Sequence, residues 1–257
     1  MSKKKILVFA SVAFIAILAS LLIFLFRSNK VEAPNFRDNS SMLNEDILSD
    51  TEAEQKSYLD IKSATSQYVL VNKSNQVKPQ DYRPADLVVA DVDVSSSDTK
   101  DEQSVREIVK SSLEKMMRDA KAEGLNLVMN SGFRSYSSQS FYFNNYVKQS
   151  GLEAAKKFSA QPGYSEHQTG LSFDLSYKNR ECYLEICFAE TKAGKWLADN
   201  AHKYGFILRY PEGKESITGY QYEPWHFRFL GEDIAKDVYE KKLTYEEYLS
   251  ELGLISL

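Results

Sequence analysis

An uncharged run from Ile6 to Phe26 restricts the fold of this chain more than any other sequence feature. As an α-helix rising about 1.5 Å per residue, its twenty-one residues would reach about 31 Å, roughly the thickness of a bilayer's hydrocarbon core. Lysines at positions 3–5 precede the run, which predicts an N-terminus inside the cell and the rest of the chain outside. The alternative, a cleaved signal peptide, needs a shorter apolar region and a small-x-small site, for which "VEA" at 31–33 is a poor match. We therefore predict an uncleaved signal anchor over residues 1–30.

The remainder of the chain divides into a polar segment and a domain. Residues 31–65 are polar with scattered acidic side chains, which predicts a stalk, and the domain is predicted over 66–257. The chain has a formal charge of −4, but residues 1–30 hold five basic residues and no acidic ones. From residue 31 onward, 27 basic residues stand against 36 acidic ones. This acidic balance argues against nucleic-acid binding and against strong adhesion to anionic lipid.

The hydrophobic pattern of the domain mixes helix and strand periods without regular alternation of the two. Apolar residues recur at helical spacing over 105–122 and 136–149, whereas "LSFDLSY" at 171–177 alternates strictly between apolar and polar positions. Further strands are predicted at 68–72, 125–133, 206–210 and 225–230, and further helices at 190–203 and 232–252. This order of elements favours the α+β fold class.

The three histidines of the chain allow a direct search for a metal site. His167 lies in a Gly-rich turn seven residues before Asp174, and His226 lies on a predicted strand opposite an aromatic face. Two imidazoles and one carboxylate form a catalytic zinc set that leaves one coordination position for water. Taken singly, Asp174 and His226 are better explained as polar side chains that face solvent from their strands. His202, near the end of a predicted helix, is better explained by helix-end charge or packing than by metal binding.

Glu223, three residues before His226, would supply the general base that such a site needs. Zinc lowers the pKa of bound water to about 7, and a carboxylate takes the proton as the water attacks a carbonyl. Positions 223 and 226 have opposite strand parity. Both side chains can therefore face one site only if the chain bends at Pro224.

Four segments in order carry a resemblance to a known family: "SGFRSYSSQ" at 131–139, "GYSEHQTGLSFD" at 163–174, "GFILRYP" at 205–211 and "GYQYEPWHFRFLG" at 219–231. They resemble the successive signatures of the VanY-like zinc D-Ala carboxypeptidases, over about residues 66–240. That family includes D,D- and L,D-carboxypeptidases that trim peptidoglycan stem peptides. The resemblance implies a single zinc-peptidase domain with a small central antiparallel sheet flanked by helices, preceded here by the predicted transmembrane helix.

The resemblance also implies which residues hold the metal and carry the chemistry. In the family motifs S-x-H-x-x-G-x-x-x-D and E-x-W-H, the histidines and the aspartate bind one zinc ion, which implies His167, Asp174 and His226 here. The glutamate of E-x-W-H is the catalytic base, which implies Glu223. Arg134, in the S-G-[FY]-R-S motif, resembles the residue that contacts the substrate and steadies the oxyanion.

Three further positions match the family pocket for the terminal D-amino acid: Gln139, Ser165 and Tyr210. Each has a simpler interpretation without the resemblance. Gln139 would be a polar residue on a helix surface, Ser165 would belong to a turn, and Tyr210 would be an aromatic at a strand end. Arg134 would form a salt bridge that closes the turn after a strand.

The two cysteines of the chain, Cys182 and Cys187, leave two states open. Outside the cell a short-loop disulfide is expected, and two free thiols are the alternative. Zinc binding by this pair is disfavoured because no second cysteine or histidine cluster lies nearby in the sequence. The surrounding segment "ECYLEIC" is less typical of the family and is placed to alter the rim of the groove.

Together these features predict a monomeric, membrane-anchored zinc carboxypeptidase that removes the C-terminal D-alanine of stem peptides, with its domain facing the cell wall. We favour L,D activity on tetrapeptides over D,D activity on pentapeptides, because anchored single-domain members of this type resemble trimming enzymes. The alternative from another class is a non-catalytic wall-binding domain that keeps zinc for structure. Glu223 and Arg134 argue against it, since a structural site needs neither.

Overall fold

Two small antiparallel sheets, with helices around them, form the part of the chain that this computed structural model describes, residues 59–95 and 99–257. The strands are β1 (Leu87–Val89), β2 (Ser104–Arg106), β3 (Leu127–Ser131), β4 (Ser172–Tyr177), β5 (Phe206–Leu208) and β6 (His226–Phe229). The α-helices are α1 (Glu107–Ala122), α2 (Tyr136–Ser150), α3 (Leu152–Phe158), α4 (Lys192–Asn200), α5 (Glu215–Thr218), α6 (Glu232–Lys241) and α7 (Tyr245–Glu251). Short 3₁₀ turns lie at Glu166–Thr169, Ile186–Glu190 and Ala201–Tyr204. The predicted mixture of a small antiparallel sheet with flanking helices is confirmed.

The larger sheet has the strand order β3-β4-β6-β5, and its neighbouring strands are antiparallel. At its centre, Asp174 of β4 lies directly opposite His226 of β6. A register shift after Met129 puts Ser131, the last residue of β3, opposite Asp174 on its other side. Residues far apart in the sequence therefore meet in the middle of the sheet.

One face of this sheet contributes to the main hydrophobic core. Alternation along β4 gives this face Phe173 and Leu175, both fully buried. Phe173 stacks on Phe227 of β6 with ring centroids 6.5 Å apart. Leu113 and Met116, from the apolar stripe of α1, belong to the same core. The packing of this face fixes the pairing of β4 with β6, and with it the register of Asp174 and His226.

The opposite face of the sheet carries polar side chains and is buried as well. Asp174 and His226 are only 5% and 4% exposed, so the interpretation in which they face solvent is wrong. Arg228, two residues beyond His226, donates hydrogen bonds to the carbonyl oxygens of Gln67 (3.0 Å) and Val69 (2.8 Å). On this face, the segment that precedes β1 therefore covers Arg228.

The prediction of a strand at 68–72 is wrong. Apart from an isolated bridge at Asn72, the segment forms no ladder. Its central residues are buried, but Leu70 packs with α6 and α7, whereas Val69 and Val71 pack with the sheet core. The apolar run therefore reflects a segment placed between two hydrophobic clusters, and not strand pairing.

The other predicted elements are present with shifted ends. The helix predicted over 105–122 begins at Glu107, because Val105 pairs with Val88 in the smaller sheet. The helix predicted over 190–203 is α4 followed by a 3₁₀ turn, which ends at Gly205 with a φ of 83°. The strands predicted at 125–133, 206–210 and 225–230 are each shorter than expected.

Residues 1–58 and 96–98 lie outside the described residues. The predicted anchor and most of the predicted stalk fall there, so the division into anchor, stalk and domain stays a prediction. Leu59 and Ala64, at the end of the predicted stalk, are buried in the domain. Within residues 59–95 and 99–257, the helices are too short or too polar to cross a membrane.

Candidate active site

Every site residue predicted from the sequence lines a single cavity of about 290 Å³ at the polar face of the larger sheet. These residues are Arg134, Gln139, Ser165, His167, Asp174, Tyr210, Glu223 and His226. They come from β4, β6, α2, a 3₁₀ turn and the segments between these elements. The fold thus brings together groups that are up to 92 positions apart in the sequence.

His167, Asp174 and His226 form a compact group whose possible ligand atoms all lie within 4.8 Å of one another. Nε2 of His167 is 3.4 Å from Oδ2 of Asp174, and Nδ1 of His226 is 3.0 Å from Oδ1 of the same carboxylate. Burial disfavours a charge on Asp174, but the two imidazoles hold the pKa of its carboxyl below the usual range. Three donor atoms converge here, and the group could bind a metal ion.

The orientation of His167 is fixed by the main chain. Its Nδ1 lies 2.8 Å from the carbonyl oxygen of Gly132 and donates to it, which leaves the Nε2 lone pair facing Asp174. The amide of Arg134 donates back to the carbonyl of His167 at 3.1 Å. A side chain in place of the Gly132 hydrogen would be destabilising, because a Cβ there would overlap the carbonyl oxygen of Ser104. The glycine thereby permits the close approach of the turn after β3.

His226 faces a side chain that was not predicted as part of the site. Its Nε2 lies 3.4 Å from Oε2 of Glu166, the residue immediately before His167. Burial disfavours a charge on Glu166, but Arg209 and Arg228 hold the pKa of its carboxyl well below the usual range. Burial also opposes a charge on His226, yet hydrogen bonds to Asp174 and Glu166 raise the pKa of its imidazole to about 9.

Glu166 belongs to a buried network of four charged side chains. Its Oε1 accepts hydrogen bonds from Arg209 Nε and Arg228 Nη1, both at 2.8 Å. Arg209 also donates two hydrogen bonds to Glu246 of α7, at 2.8 and 2.6 Å. Strand alternation predicts that Arg228 lies on the same face as His226, so one residue of the network could have been found from the sequence. No sequence pattern indicates that the other three residues are buried at the site.

The chain bends between Glu223 and His226, as their opposite strand parity requires if both are to face one site. A turn over Pro224 and Trp225 precedes β6, and the amide of His226 donates to the carbonyl of Glu223 at 3.1 Å. The bend lets residues 223 and 226 line the same cavity. Burial raises the pKa of the Glu223 carboxyl to about 8. The site therefore contains a carboxylic acid beside the candidate metal ligands.

Arg134 crosses the cavity wall between the metal ligands and α2. Its Nη1 donates to Oε1 of Gln139 at 3.0 Å, and its Nη2 donates to the hydroxyl of Ser131 at 2.7 Å. The Nη2 atom is also 3.9 Å from Oδ2 of Asp174. Gln139 is fixed in turn because its amide nitrogen donates to the carbonyl of Ala160 at 2.7 Å. The guanidinium is thus held rigidly with its positive charge beside the site.

Two tyrosines close one side of the cavity. The Tyr210 ring lies 4.9 Å from the His226 ring and 4.8 Å from the Tyr220 ring. Tyr220 was not singled out from the sequence, although it lies three residues before Glu223 in the last motif. Its buried hydroxyl has no hydrogen-bond partner among the described residues. Ser165, which directly precedes Glu166, is 4% exposed and lines the same cavity.

The third histidine lies outside the cavity, and the two cysteines belong to a loop at the rim of the cavity. His202 stacks on Tyr239 with ring centroids 3.7 Å apart and does not line the cavity, which agrees with the predicted packing interaction. Cys182 and Cys187 form the expected disulfide. Leu184, inside that short loop, contributes to the cavity lining, so the loop does form part of the rim.

The donor atoms of the three-residue group fit zinc. Zinc binds imidazole nitrogen and carboxylate oxygen, and catalytic zinc sites use three protein ligands with one open position. Magnesium and calcium prefer sets made of oxygen atoms, which two imidazoles do not provide. The buried His167, Asp174 and His226 therefore provide the ligand types of a catalytic zinc centre.

Comparison with known proteins gives consistent matches. The sequence model of the VanY family, D-alanyl-D-alanine carboxypeptidase, matches residues 102–232. The putative carboxypeptidase YodJ of Bacillus subtilis is 44% identical over 186 residues, 72% of this chain and 68% of that protein. A solved structure of the LdcB LD-carboxypeptidase has a TM-score of 0.68 at 43% identity, covering 73% of this chain and 87% of that one. The vancomycin-resistance D,D-pentapeptidase VanY, solved as a mutant in complex with Zn(II), has a TM-score of 0.58 at 29% identity, covering 70% and 97%.

Proposed function

Because this chain belongs to the VanY family of D-alanyl-D-alanine carboxypeptidases, we propose that it uses one zinc ion to release the C-terminal D-alanine of peptidoglycan stem peptides. The observation that carries the proposal is the convergence of His167, Asp174 and His226 beside Glu223 in one cavity. The solved VanY complex with Zn(II) supports zinc as the metal.

His167, Asp174 and His226 would hold the ion, one through each ligand atom. Bound zinc supplies a Lewis acid that polarises the peptide carbonyl and lowers the pKa of water to about 7. The two imidazoles bring no charge and Asp174 brings one negative charge, so the centre would keep a net positive charge. That charge attracts the electron-rich oxygen atoms of the substrate.

Glu223 would act as the general base. Burial raises its pKa to about 8 in the metal-free protein, and a cation at the neighbouring ligands would favour its charged form. The carboxylate then accepts the proton of the attacking water and delivers it to the leaving amine. A base held in this way contributes about 10²–10⁴-fold to the rate.

Arg134 would stabilise the negative charge that develops on the carbonyl oxygen. Its guanidinium is fixed by Ser131 and Gln139 before substrate binds, so little reorganisation is needed during the reaction. Gln139, Ser165 and Tyr210 line the same cavity and would contact the terminal D-amino acid.

L,D activity on tetrapeptides is favoured over D,D activity on pentapeptides. The LdcB LD-carboxypeptidase structure resembles this chain more closely than the VanY D,D-pentapeptidase structure does, both in identity and in TM-score. The test is to incubate the full-length chain with a tetrapeptide and a pentapeptide muropeptide and to weigh the products. Loss of one alanine from the tetrapeptide is the expected result, whereas cleavage of the pentapeptide alone would contradict it.

A non-catalytic zinc domain that binds the wall is the alternative. Such a domain has no use for a buried glutamate beside the metal ligands or for a fixed arginine facing them. The same incubation distinguishes the two functions, because the alternative predicts that neither muropeptide changes mass.

The proposal includes a location at the cell membrane, with the domain facing the wall and the chain monomeric. The location rests on the apolar run Ile6–Phe26 and on the lysines before it. Protease added to intact cells is expected to release the domain and leave the anchor behind. A mature N-terminus near Pro34 would show that the segment is a cleaved signal instead.

A further inference from the structure

The imidazole of His226 lies between two carboxylates. Oδ1 of Asp174 faces Nδ1 at 3.0 Å, and Oε2 of Glu166 faces Nε2 at 3.4 Å. Asp174 is itself a candidate ligand, so a metal held by both residues must be bound through Nδ1 of His226. A neutral imidazole that binds a metal through Nδ1 carries its single proton on Nε2. The acceptor that this proton faces is Glu166.

We propose that Glu166 is a positioning residue of the metal site, which fixes the ring and the tautomer of His226 so that Nδ1 presents its lone pair to the metal. This inference rests on the proposed zinc dependence and assigns a residue that the resemblance to the family did not. A carboxylate that accepts the distal N–H of a metal-binding histidine commonly sets the ring orientation and strengthens metal binding.

The surroundings of Glu166 leave one oxygen free for this contact. Arg209 and Arg228 both donate to Oε1, so the carboxylate cannot rotate without breaking two charged hydrogen bonds. The side chain of Glu166 has no solvent-accessible surface. The contact between Oε2 and His226 is therefore shielded from bulk water.

The network that holds Glu166 is balanced in charge and anchored outside the site. Two guanidinium groups, of Arg209 and Arg228, face two carboxylates, of Glu166 and Glu246. Glu246 lies in the first turn of α7, which begins with a capping box formed by Thr244 and Glu247. The network thus links the metal site to the C-terminal helix through Arg209, with Glu166 at the end that faces His226 and Glu246 at the far end.

A purely structural function is the competing explanation, because a buried ion network can support folding without tuning the metal. Glu246 separates the two explanations. It is nearly as deeply buried as Glu166 and shares Arg209 with it, but its carboxylate accepts hydrogen bonds from Arg209 and Asn72. Among the described residues it forms no hydrogen bond with a candidate metal ligand. Substitution at either position removes one negative charge from the same network.

The decisive comparison is Glu166→Gln against Glu246→Gln in the full-length chain. In Glu166→Gln the amide oxygen is needed by the two arginines, so its NH₂ group faces His226 and moves the ring proton to Nδ1. Zinc affinity, measured by competition with a chromophoric chelator, is expected to fall by about 10–100-fold. In Glu246→Gln it is expected to stay near the wild-type value, although thermal stability falls in both variants.

Two further measurements keep the test decisive. Glu166→Asp keeps the charge but is too short to reach both partners, and it is expected to weaken zinc binding if Glu166→Gln does not fold. In the zinc-loaded wild type, ¹⁵N-edited NMR is expected to show a slowly exchanging Nε2 proton on His226, and this signal is lost in Glu166→Asp. Equal zinc affinities in all folded variants, or equal losses in the Glu166 and Glu246 variants, would overturn the inference. A wild type that binds no zinc would instead refute the proposed function.

Discussion

The two histidines of the candidate metal site are held by different means. His167 donates to a backbone carbonyl, that of Gly132, within a pair of turns whose main chains are hydrogen-bonded to each other. His226 faces the side chain of Glu166, which two arginines and a second glutamate hold in place. The first arrangement is a property of the backbone, and the second is a property of four buried charges.

This difference determines which changes can disturb each histidine. We call His167 with its backbone contacts the His167 half of the site, and His226 with its ion network the His226 half. A carbonyl cannot be removed by a side-chain substitution, so the His167 half changes only when the backbone moves. The His226 half depends on an ion network whose members come from β6, α7, the turn before β4 and the residue that follows β5. Loss of any one partner leaves a buried charge unpaired and destabilises the fold, and Glu166 is the member that faces His226.

The largest expected loss of zinc binding and activity follows from substitution of Asp174, which contacts both histidines. Asp174 contacts both imidazoles, and a neutral amide is a poor zinc ligand, so Asp174→Asn is expected to lose zinc and activity together. Elemental analysis and the muropeptide assay measure the two losses. Ser172→Ala, on the same buried face of β4, is the control and is expected to keep both. Retention of zinc by Asp174→Asn would remove Asp174 from the ligand set.

A substitution of Glu223 distinguishes proton transfer from metal binding, because it is expected to change turnover and not zinc content. Glu223→Gln keeps the size of the side chain but cannot accept a proton, so turnover is expected to fall by about 10²–10⁴-fold. Zinc content is expected to stay unchanged, because Glu223 is not a ligand in this account. Substrate binding is also expected to change little. Loss of zinc in this variant, or full activity with zinc retained, would contradict the assignment of Glu223 as the base.

The pH dependence of zinc binding sharpens the contrast between the histidines. Burial lowers the pKa of His167, so this ring is neutral at pH 7, whereas the pKa of His226 is raised to about 9 and the metal-free ring is charged. Zinc must displace the proton of His226, and its charge also favours release of the proton of Glu223, whose pKa burial raises to about 8. Affinity is therefore expected to rise from pH 7 to pH 9, by about tenfold per pH unit for each proton released, and to level off above. An affinity that is flat between pH 7 and pH 9 would contradict this.

The smallest effect is expected from the backbone of the His167 half. Gly132→Ala forces a Cβ against the carbonyl of Ser104 and is expected to destabilise the fold by about 1–3 kcal/mol. Gly194→Ala, in α4, places a Cβ against the carbonyl of Phe188 and is the matched control. Thermal unfolding is expected to show a loss in both variants, and chelator competition is expected to show weaker zinc binding only in Gly132→Ala. Equal zinc affinity in the two variants would show that the Gly132 carbonyl does not orient His167.

The parts of the site that the sequence predicted are those set by local geometry. Strict alternation at 171–177 placed Asp174 opposite the apolar face, and strand parity required the bend at Pro224 that the structure contains. The motif spacing selected His167 and His226 over His202. These signals work because strand period and turn chemistry act over a few residues.

The ion network and the segment at 68–72 were not predictable in this way. From the sequence, Glu166 is expected to be a polar residue of a turn. In the structure its burial depends on Arg209 and Arg228, which are more than forty positions away. The apolar run at 69–71 carries a strand pattern, but its side chains are divided between two clusters formed by distant elements. In both cases the structure depends on tertiary contacts with distant residues, and such contacts produce no periodic pattern in the sequence.

Zinc content and activity of the same preparation test the central claim most directly. The full-length chain is expected to contain about one zinc per molecule, to lose muropeptide cleavage when a chelator removes the metal, and to regain it when zinc is restored. Such a result would show that cleavage needs a bound zinc ion. Full cleavage by protein in which elemental analysis detects no zinc would contradict the account.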